Sequence, residues 1–454
     1  MACQAIMAWS WEKASSYAGL APEAEGVLGR PLDATARGQH YGHWKKNIGR
    51  HPLKALGTLC LILLAAPVWS QPAKKLSLRD ALDLANQRNL ELAAARERRA
   101  VSQAGVRIAR QLPNPSASFG ASRDTPHENL LFDQPLEIGG RRHRRIELAQ
   151  QTAGLTELEI EALTREVRQR VREAFYAAAF TGGVSRQRAE ALELAKRLRE
   201  IAQARFQAGD VPQLEVFQAE LEVSRAEAEL RVAQEREKTA FSQLNVLLNH
   251  PSDTQWELVG SLEDLPPRLS LPELVERAAE SNAGLRHLLQ EQKVEQRRRA
   301  LLQAERIPNL DVQFGADFNA PGDFRVGPRS QISLVLPLFT RNQGEIAQSS
   351  ANLRVLESET AATRRAVAGR VEVAYLELNS RQTQVELYRS ALLPAARRLE
   401  GLAEDSYRAG KANVLTVLDA QRNVRQVQRD YLESLLALQT AFAGLEQTVG
   451  APLD

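Results

Sequence analysis

Through most of this chain, apolar residues recur three or four positions apart in narrow, alanine-rich stripes, the spacing of one helix face. The period changes in four short places. Val312, Phe314, Ala316 and Phe318 alternate with Asp311, Gln313, Gly315 and Asp317. After a Pro/Gly stretch at 320–328, Ile332, Leu334 and Leu336 alternate with Gln331, Ser333 and Val335. Earlier, Ala117, Phe119 and Ala121 alternate with Ser116, Ser118 and Gly120, and a return segment at 129–137 carries Leu130, Phe132 and Leu136. A period of two places successive side chains on opposite faces of a strand. The pattern therefore predicts long helices interrupted by two hairpins.

The same landmarks occur twice, in the same order. Leu76-Ser77-Leu78 returns as Leu269-Ser270-Leu271. Leu112-Pro113-Asn114 returns as Ile307-Pro308-Asn309, and Gln134-Pro135-Leu136 as Leu336-Pro337-Leu338. Phe206-Gln207-Ala208-Gly209 returns as Tyr407-Arg408-Ala409-Gly410. This divides the chain into a leader at 1–70, a first repeat at 71–252, a linker at 253–268 with Pro266-Pro267, and a second repeat at 269–454.

Each repeat reads as a helix, two strands, a very long helix and a returning helix. The opening helix spans about 77–111, with Ser77 as N-cap, and its counterpart about 270–306. The long helices span about 141–207 and 343–408; the first, with 67 residues, makes a rod of about 100 Å. Gly182-Gly183 should weaken or bend the first rod and Pro394 should kink the second. Gly209 and Gly410 stop the rods in left-handed turns. Helices then return over about 213–249 and 414–449. Pro113, Pro135, Pro308 and Pro337 mark the changes between helix and strand, and Gly139-Gly140 permits reorientation into the first rod. Such rods cannot bury their stripes locally, so they should pack side by side as a coiled-coil sheath.

A hairpin with one apolar face can pack on a protein core or face lipid. No other sheet-forming sequence is apparent to supply such a core. Facing lipid requires a closed barrel, because open strand edges are not tolerated in hydrocarbon. Four strands cannot close one, since known barrels have at least about eight. Three chains would supply twelve. The fold class expected is mainly α with a small β part: tandem helical hairpins forming a trimeric α-barrel, and four strands per chain in a shared 12-stranded transmembrane barrel. A coiled-coil scaffold without a barrel is the competing architecture.

Composition and charge narrow the function. Seven Lys/Arg against four Asp/Glu in the first 70 residues account for the whole net charge of +3, leaving the remainder neutral. A nucleic-acid surface needs a basic excess. Ala55–Val68 is a run of 14 mostly apolar residues after Lys45, Lys46, Arg50 and Lys54, the build of a secretory signal and short of a membrane span. Cys3 and Cys60 both lie in the leader, so the exported chain has no thiol. His127, His143, His250 and His287 are scattered without ligand spacing. No metal site, cofactor or nucleophile–base pair is read, and no enzymatic activity is expected. The run Arg141-Arg142-His143-Arg144-Arg145 follows a strand directly. It suits anionic headgroups at the periplasmic membrane boundary, or equally a solvated or intersubunit helix start.

Over about 75–452, the duplication, the Leu-Pro-Asn and Ile-Pro-Asn transitions, the Pro-Leu exits and the Ala-Gly tips resemble the TolC-like outer membrane factor family. That resemblance implies a homotrimer in outer-membrane lipid with a periplasmic helical tunnel. It also implies a periplasmic adaptor and an inner-membrane pump, of the RND type, as partners. Gln134–Arg142 is similar to the exit motif of the cobalt–zinc–cadmium subgroup, implying divalent heavy-metal cargo; general drug export is the nearest alternative. The resemblance places Asp419 at an acidic constriction, with Thr416 and Glu215 at associated positions. An acidic ring favours cations. The sequence departs from the family pattern where Thr416 replaces a possible acid and Ala412 a possible basic latch residue. Ala208, Gly209, Ala409 and Gly410 are the adaptor-docking candidates.

Overall fold

The computed structural model describes residues 74–453, so the leader at 1–70 and its apolar run lie outside the described residues. The first repeat begins with strand β1 (Lys74–Ser77) and helices α1 (Leu78–Arg88) and α2 (Leu90–Arg110). Strands β2 (Ser116–Ala121) and β3 (Glu128–Leu136) follow, then α3 (Arg141–Gln207), α4 (Gln213–Leu248) and β4 (Trp256–Val259). The second repeat contains α5 (Leu271–Ser281), α6 (Ala283–Ala304), β5 (Leu310–Ala320) and β6 (Phe324–Leu334). It ends with α7 (Gln343–Leu387), a π-helical turn at Tyr388–Leu392, α8 (Leu393–Arg408) and α9 (Val414–Val449).

Both opening helices are broken where one helix was expected. Asn89 and Asn282 interrupt them with extended ψ values, and each side chain caps the next helix by accepting from Leu92 or Leu285 at 3.1 Å. The amide side chain replaces a bond the broken helix has lost. Ser77 caps α1 as expected, in a reciprocal box with Asp80.

The glycine pair does not interrupt α3, which is continuous through Gly182-Gly183. A Cβ on Gly182 would lie 3.2 Å from Oε1 of Glu237, and one on Gly183 would lie 3.5 Å from Leu432. The missing side chains let α4 and α9 approach the rod. In the second repeat the discontinuity at Pro394 takes the form of the π-helical turn just before it. Proline cannot donate to the carbonyl four residues back, and a widened turn absorbs that loss.

Each repeat has its own apolar core. Leu82, Val171, Phe175 and Leu244 anchor the first, where α1, α3 and α4 meet. Leu274, Val371, Leu435 and Phe442 anchor the second, among α5, α7 and α9. Burial of side chains this size contributes about 1.5–3 kcal/mol each. The halves are joined by Arg172 on α3, which pairs with Glu446 on α9 at 3.0 Å and lies over the Phe442 ring.

The linker also differs from the expectation. Its residues Trp256–Val259 pair in parallel with Lys74–Ser77, a second small sheet that four-residue strands gave no alternation to reveal. Trp256 Nε1 donates to Asn245 Oδ1 at 2.6 Å, tying this sheet to α4. Further on, Gln439 of α9 donates to the Asp264 carbonyl at 2.7 Å.

Candidate functional site: the apolar sheet, its joints and the helical tips

The four longer strands form one antiparallel sheet in the order β2-β3-β5-β6. Its register decides which side chains share a face. Phe119 stands opposite Leu130, and Leu130 opposite Ala316. Phe132 stands opposite Phe314, Val312 opposite Ile332 and Phe318 opposite Val326. This parity continues across all four strands and is mostly apolar; the polar residues on it are Gln134 opposite Val312, Ser330 opposite Phe314 and Glu128 opposite Phe318. Phe132 and Phe314 stack with centroids 5.8 Å apart. Nothing in the described chain covers this face: Phe119 and Ile332 are each 67% exposed. The opposite face carries Ser118, Asn129, Asp317, Gln313 and Arg329, with Arg329 and Asp317 paired at 3.5 Å.

The second hairpin is longer than the alternation indicated. Only residues 321–323 form its turn, and β6 begins at Phe324, so Gly327 and Pro328 belong to a strand rather than a loop. Within one chain β6 is an edge strand, where a missing ladder donor costs least. Pro135 likewise lies within β3, opposite Asp311, and not at a break. Pro113, Pro308 and Pro337 do fall between elements. Gly139 and Gly140 have φ of +72° and +77°, the left-handed turn that leads into α3.

The arginines after β3 turn inward. Arg141 donates to the Glu305 and Ile307 carbonyls and to Asn309 Oδ1, at 2.7–2.8 Å. Arg142 donates to the Arg110 carbonyl at 2.8 Å, and Arg145 to the Ala109 and Gln111 carbonyls at 3.1 and 3.0 Å. These carbonyls belong to the last turns of α2 and α6 and the residues just beyond. Helix ends leave such carbonyls without partners, and the guanidinium groups satisfy them. Arg145 also pairs with Glu137, whose side chain is 8% exposed. Of the four arginines matched to lipid headgroups, three are thus committed to tying the start of α3 to the ends of α2 and α6. Arg144 pairs with Glu147 at 2.9 Å.

At the other end, both rods stop in the same motif. Gly209 and Gly410 have φ of +80° and +72°. Asp210 N–H donates to the Arg205 carbonyl and Lys411 N–H to the Ser406 carbonyl, both at 2.9 Å. Ala208, Gly209, Ala409 and Gly410 are exposed at these turns. The tip residues are brought together in two groups rather than one. Asp419 and Thr416 share the exposed start of α9; Asp419 pairs with Arg422 at 3.2 Å, and the Thr416 hydroxyl is hydrogen-bonded to Asn413 Oδ1 at 3.0 Å. Glu215 instead is half-buried, its charge acting on buried Tyr407. Burial pushes the Tyr407 phenol up, Arg205 opposes this, and Glu215 adds to it. The Arg205 guanidinium lies 4.9 Å from the Tyr407 ring centroid.

One ionic cluster between α4 and α9 was missed from the sequence. Glu222, 3% exposed on α4, binds Arg425 at 2.9 Å and Arg422 at 3.2 Å, both on α9. Burial alone would raise its carboxyl, but bonds and attraction from Arg425 and Arg422 hold it below the usual carboxylate range. The signal was present: Glu222 occupies the buried stripe of Val216, Ala219, Val223 and Ala226, and a carboxylate on such a stripe needs a partner.

Among the described residues, no cluster of three or more His, Cys, Asp or Glu is arranged to hold a metal. No described helix is long and apolar enough to cross a membrane; that has no bearing on a β-barrel.

Comparison with known proteins gives one family. Residues 81–250 and 274–451 match the family model described as outer membrane efflux protein. The cobalt-zinc-cadmium resistance protein CzcC of Cupriavidus metallidurans is 27% identical over 392 residues, covering 85% of this chain and 92% of that protein. The outer membrane protein VceC of Vibrio cholerae superposes with a TM-score of 0.66 at 16% identity, over 83% of this chain and 97% of that one. The CusC structure gives 0.67 at 16% identity, over 83% and 92%. At that identity the likeness is one of fold.

Proposed function

The chain belongs to the outer membrane efflux protein family, and we propose that it is the outer-membrane duct of a tripartite efflux system for divalent heavy-metal cations. The observation that carries the duct reading is the predominantly apolar face that runs in register across four strands, backed by a more polar one. Such a sheet suits lipid outside and water inside. Closure requires more strands than one chain has, and a homotrimer would give twelve. A scaffold without a barrel leaves the exposed phenylalanines unexplained.

In this reading conduction is passive. The sequence contains no phosphate-binding loop, and no described helix crosses the membrane, so energy comes from an inner-membrane pump through a periplasmic adaptor. Ala208, Gly209, Ala409 and Gly410 are the adaptor-facing tips. Asp419, flanked by Thr416, forms the cation-favouring ring; the half-buried Glu215 supports the contact between tips.

Cargo class rests on the likeness to CzcC, a cobalt-zinc-cadmium resistance protein by name. The Gln134–Arg142 motif joins strand to helix, so it marks kinship and not a metal site. Deletion and restoration of the gene, scored against zinc, cobalt, cadmium, dyes and antibiotics, tests the proposal. Restorable sensitivity to divalent metals alone is expected. Sensitivity confined to organic compounds would replace metals with drug export as the cargo.

A further inference from the structure

The two repeats meet in a seam inside the chain. There the return strand of the first, β3, pairs with the leading strand of the second, β5, as far as Leu136 opposite Leu310. Past the last pair the chain stays in contact. A Cβ on Gly139 would fall 2.7 Å from Cδ1 of Ile307, and Arg141 binds Asn309. Glu137 is held by Arg145 beside them.

The duplication requires a second seam of this kind, and the chain supplies only its two separated halves. The return strand β6 and the leading strand β2 are the sheet's two free edges. Matching the Pro-Leu landmarks sets Phe339 at the place of Glu137, Arg341 at Gly139, Gln343 at Arg141 and Ala347 at Arg145. Matching the Pro-Asn landmarks sets Leu112 at the place of Ile307. The ionic brace of the internal seam is therefore absent from the second, and apolar groups stand there instead. Phe339 is 91% exposed, Leu112 67% and Leu338 63%.

We propose that Phe339 and Leu338 dock against Leu112 of a second copy of this chain, forming an apolar collar at the periplasmic end of each seam between protomers. The proposal rests on the trimeric duct reading and specifies where its copies grip. An edge strand of 11 residues cannot remain open in hydrocarbon. Antiparallel pairing of β6 with another copy's β2 brings the end of one beside the start of the other, and so Phe339 toward Leu112. The chemistry suits the task. A charged brace between chains would have to shed water from both ions on assembly, which often cancels the gain. An aromatic anchor has no such cost and is a common source of interface energy.

The full-length protein, extracted from outer membranes in mild detergent, tests this. Leu112→Cys combined with Arg341→Cys should give reducible, covalently linked dimers and trimers on oxidation, and neither single variant should give the trimer. The only native cysteines are Cys3 and Cys60, in the leader. Phe339→Ala should speed trimer dissociation in detergent on the order of tenfold, with Phe339→Leu restoring most of the loss. A wild-type trimer with no cross-link and no change in Phe339→Ala would overturn the collar and leave the duct reading standing. A wild-type protein that is monomeric in the membrane would defeat both. An intact trimer with reduced membrane insertion in Phe339→Ala would make Phe339 a lipid anchor and overturn the collar.

Discussion

In the first repeat, the passage from strand to rod is packed with charge: Glu137 is enclosed, Arg145 answers it, and Arg141 and Arg142 occupy the carbonyls around two helix ends. In the second repeat, the same passage runs Leu338-Phe339-Thr340-Arg341-Asn342, with Phe339 open to solvent and Asn342 taking the left-handed turn at φ +54°. The backbone plan is shared, and the chemistry of the join is not. The difference follows from where each neighbour comes from. The first join abuts residues of its own chain, which are always present, so buried ions can be matched to fixed carbonyls. The second join faces an edge whose neighbour arrives from outside. There a hydrophobic contact is the safer solution, because no charge is stranded before assembly.

The sharpest way to break this contrast is to remove the arginine that answers Glu137. Arg145→Ala leaves an enclosed carboxylate without its cation and uncaps two carbonyls. The Arg145 side chain is 35% exposed, so losing its bonds to Glu137 and to the carbonyls costs about 1.5–3 kcal/mol. Thermal unfolding of the detergent-solubilised protein, followed by helical circular dichroism, should show a marked fall in midpoint. The second repeat offers the control. Ala347 stands at the position of Arg145, and Ala347→Ser should leave the midpoint almost unmoved. Equal small losses in both would mean that the first join is as indifferent to charge as the second.

A smaller effect separates the two glycines of the first join. Both need a left-handed backbone, which costs a residue with a side chain about 1–2 kcal/mol. At Gly140 nothing lies within 4 Å of an added Cβ, so Gly140→Ala should lose only that strain. At Gly139 the new atom would also meet Ile307 at 2.7–2.8 Å. Gly139→Ala should therefore be about 1 kcal/mol worse than Gly140→Ala. Arg341→Ala, at the matching place of the second repeat, should cost less than about 0.5 kcal/mol. The same unfolding midpoints measure all three. Equal losses in the two glycine variants would show that Ile307 moves aside freely and that the internal seam is loosely packed.

The parts legible in the sequence were those with a period or a punctuating residue. Two rods, four principal strands and two glycine turns all announced themselves at landmark spacing. The splits at Asn89 and Asn282 also have a local signal, Asn followed three residues later by Leu, but an apolar stripe that continues across the break conceals it. The extent of β6 was hidden because Gly327 and Pro328 signal a loop unless the strand is known to be an edge. The parallel pairing of Lys74–Ser77 with Trp256–Val259 joins segments about 180 residues apart and is too short to have a pattern. The arginine brace shows the more general limit. Five basic positions in a row fix a local charge density, and only the tertiary fold brings the carbonyls of α2 and α6 within reach of them.

The tips test the contrast at the opposite end, where the expected effect is least. Glu215 of the first repeat is half-buried and acts on Tyr407, whereas Asp419 of the second is exposed and shares its charge with Arg422. If the second repeat again presents outward what the first keeps within, Asp419 is the acid that passing ions experience. Asp419→Asn should lower the cation-to-anion permeability ratio in bilayer recordings by about two- to fivefold, since exposed charges interact through water at roughly 1 kcal/mol or less and are further screened by salt. Arg422 limits the loss, because part of the aspartate's field is already neutralised. Glu215→Gln should leave the ratio unchanged while altering the packing around Tyr407. A ratio unaffected by Asp419→Asn removes that residue from the filter. A larger fall with Glu215→Gln than with Asp419→Asn would invert the comparison and place the first repeat's acid on the conduction path.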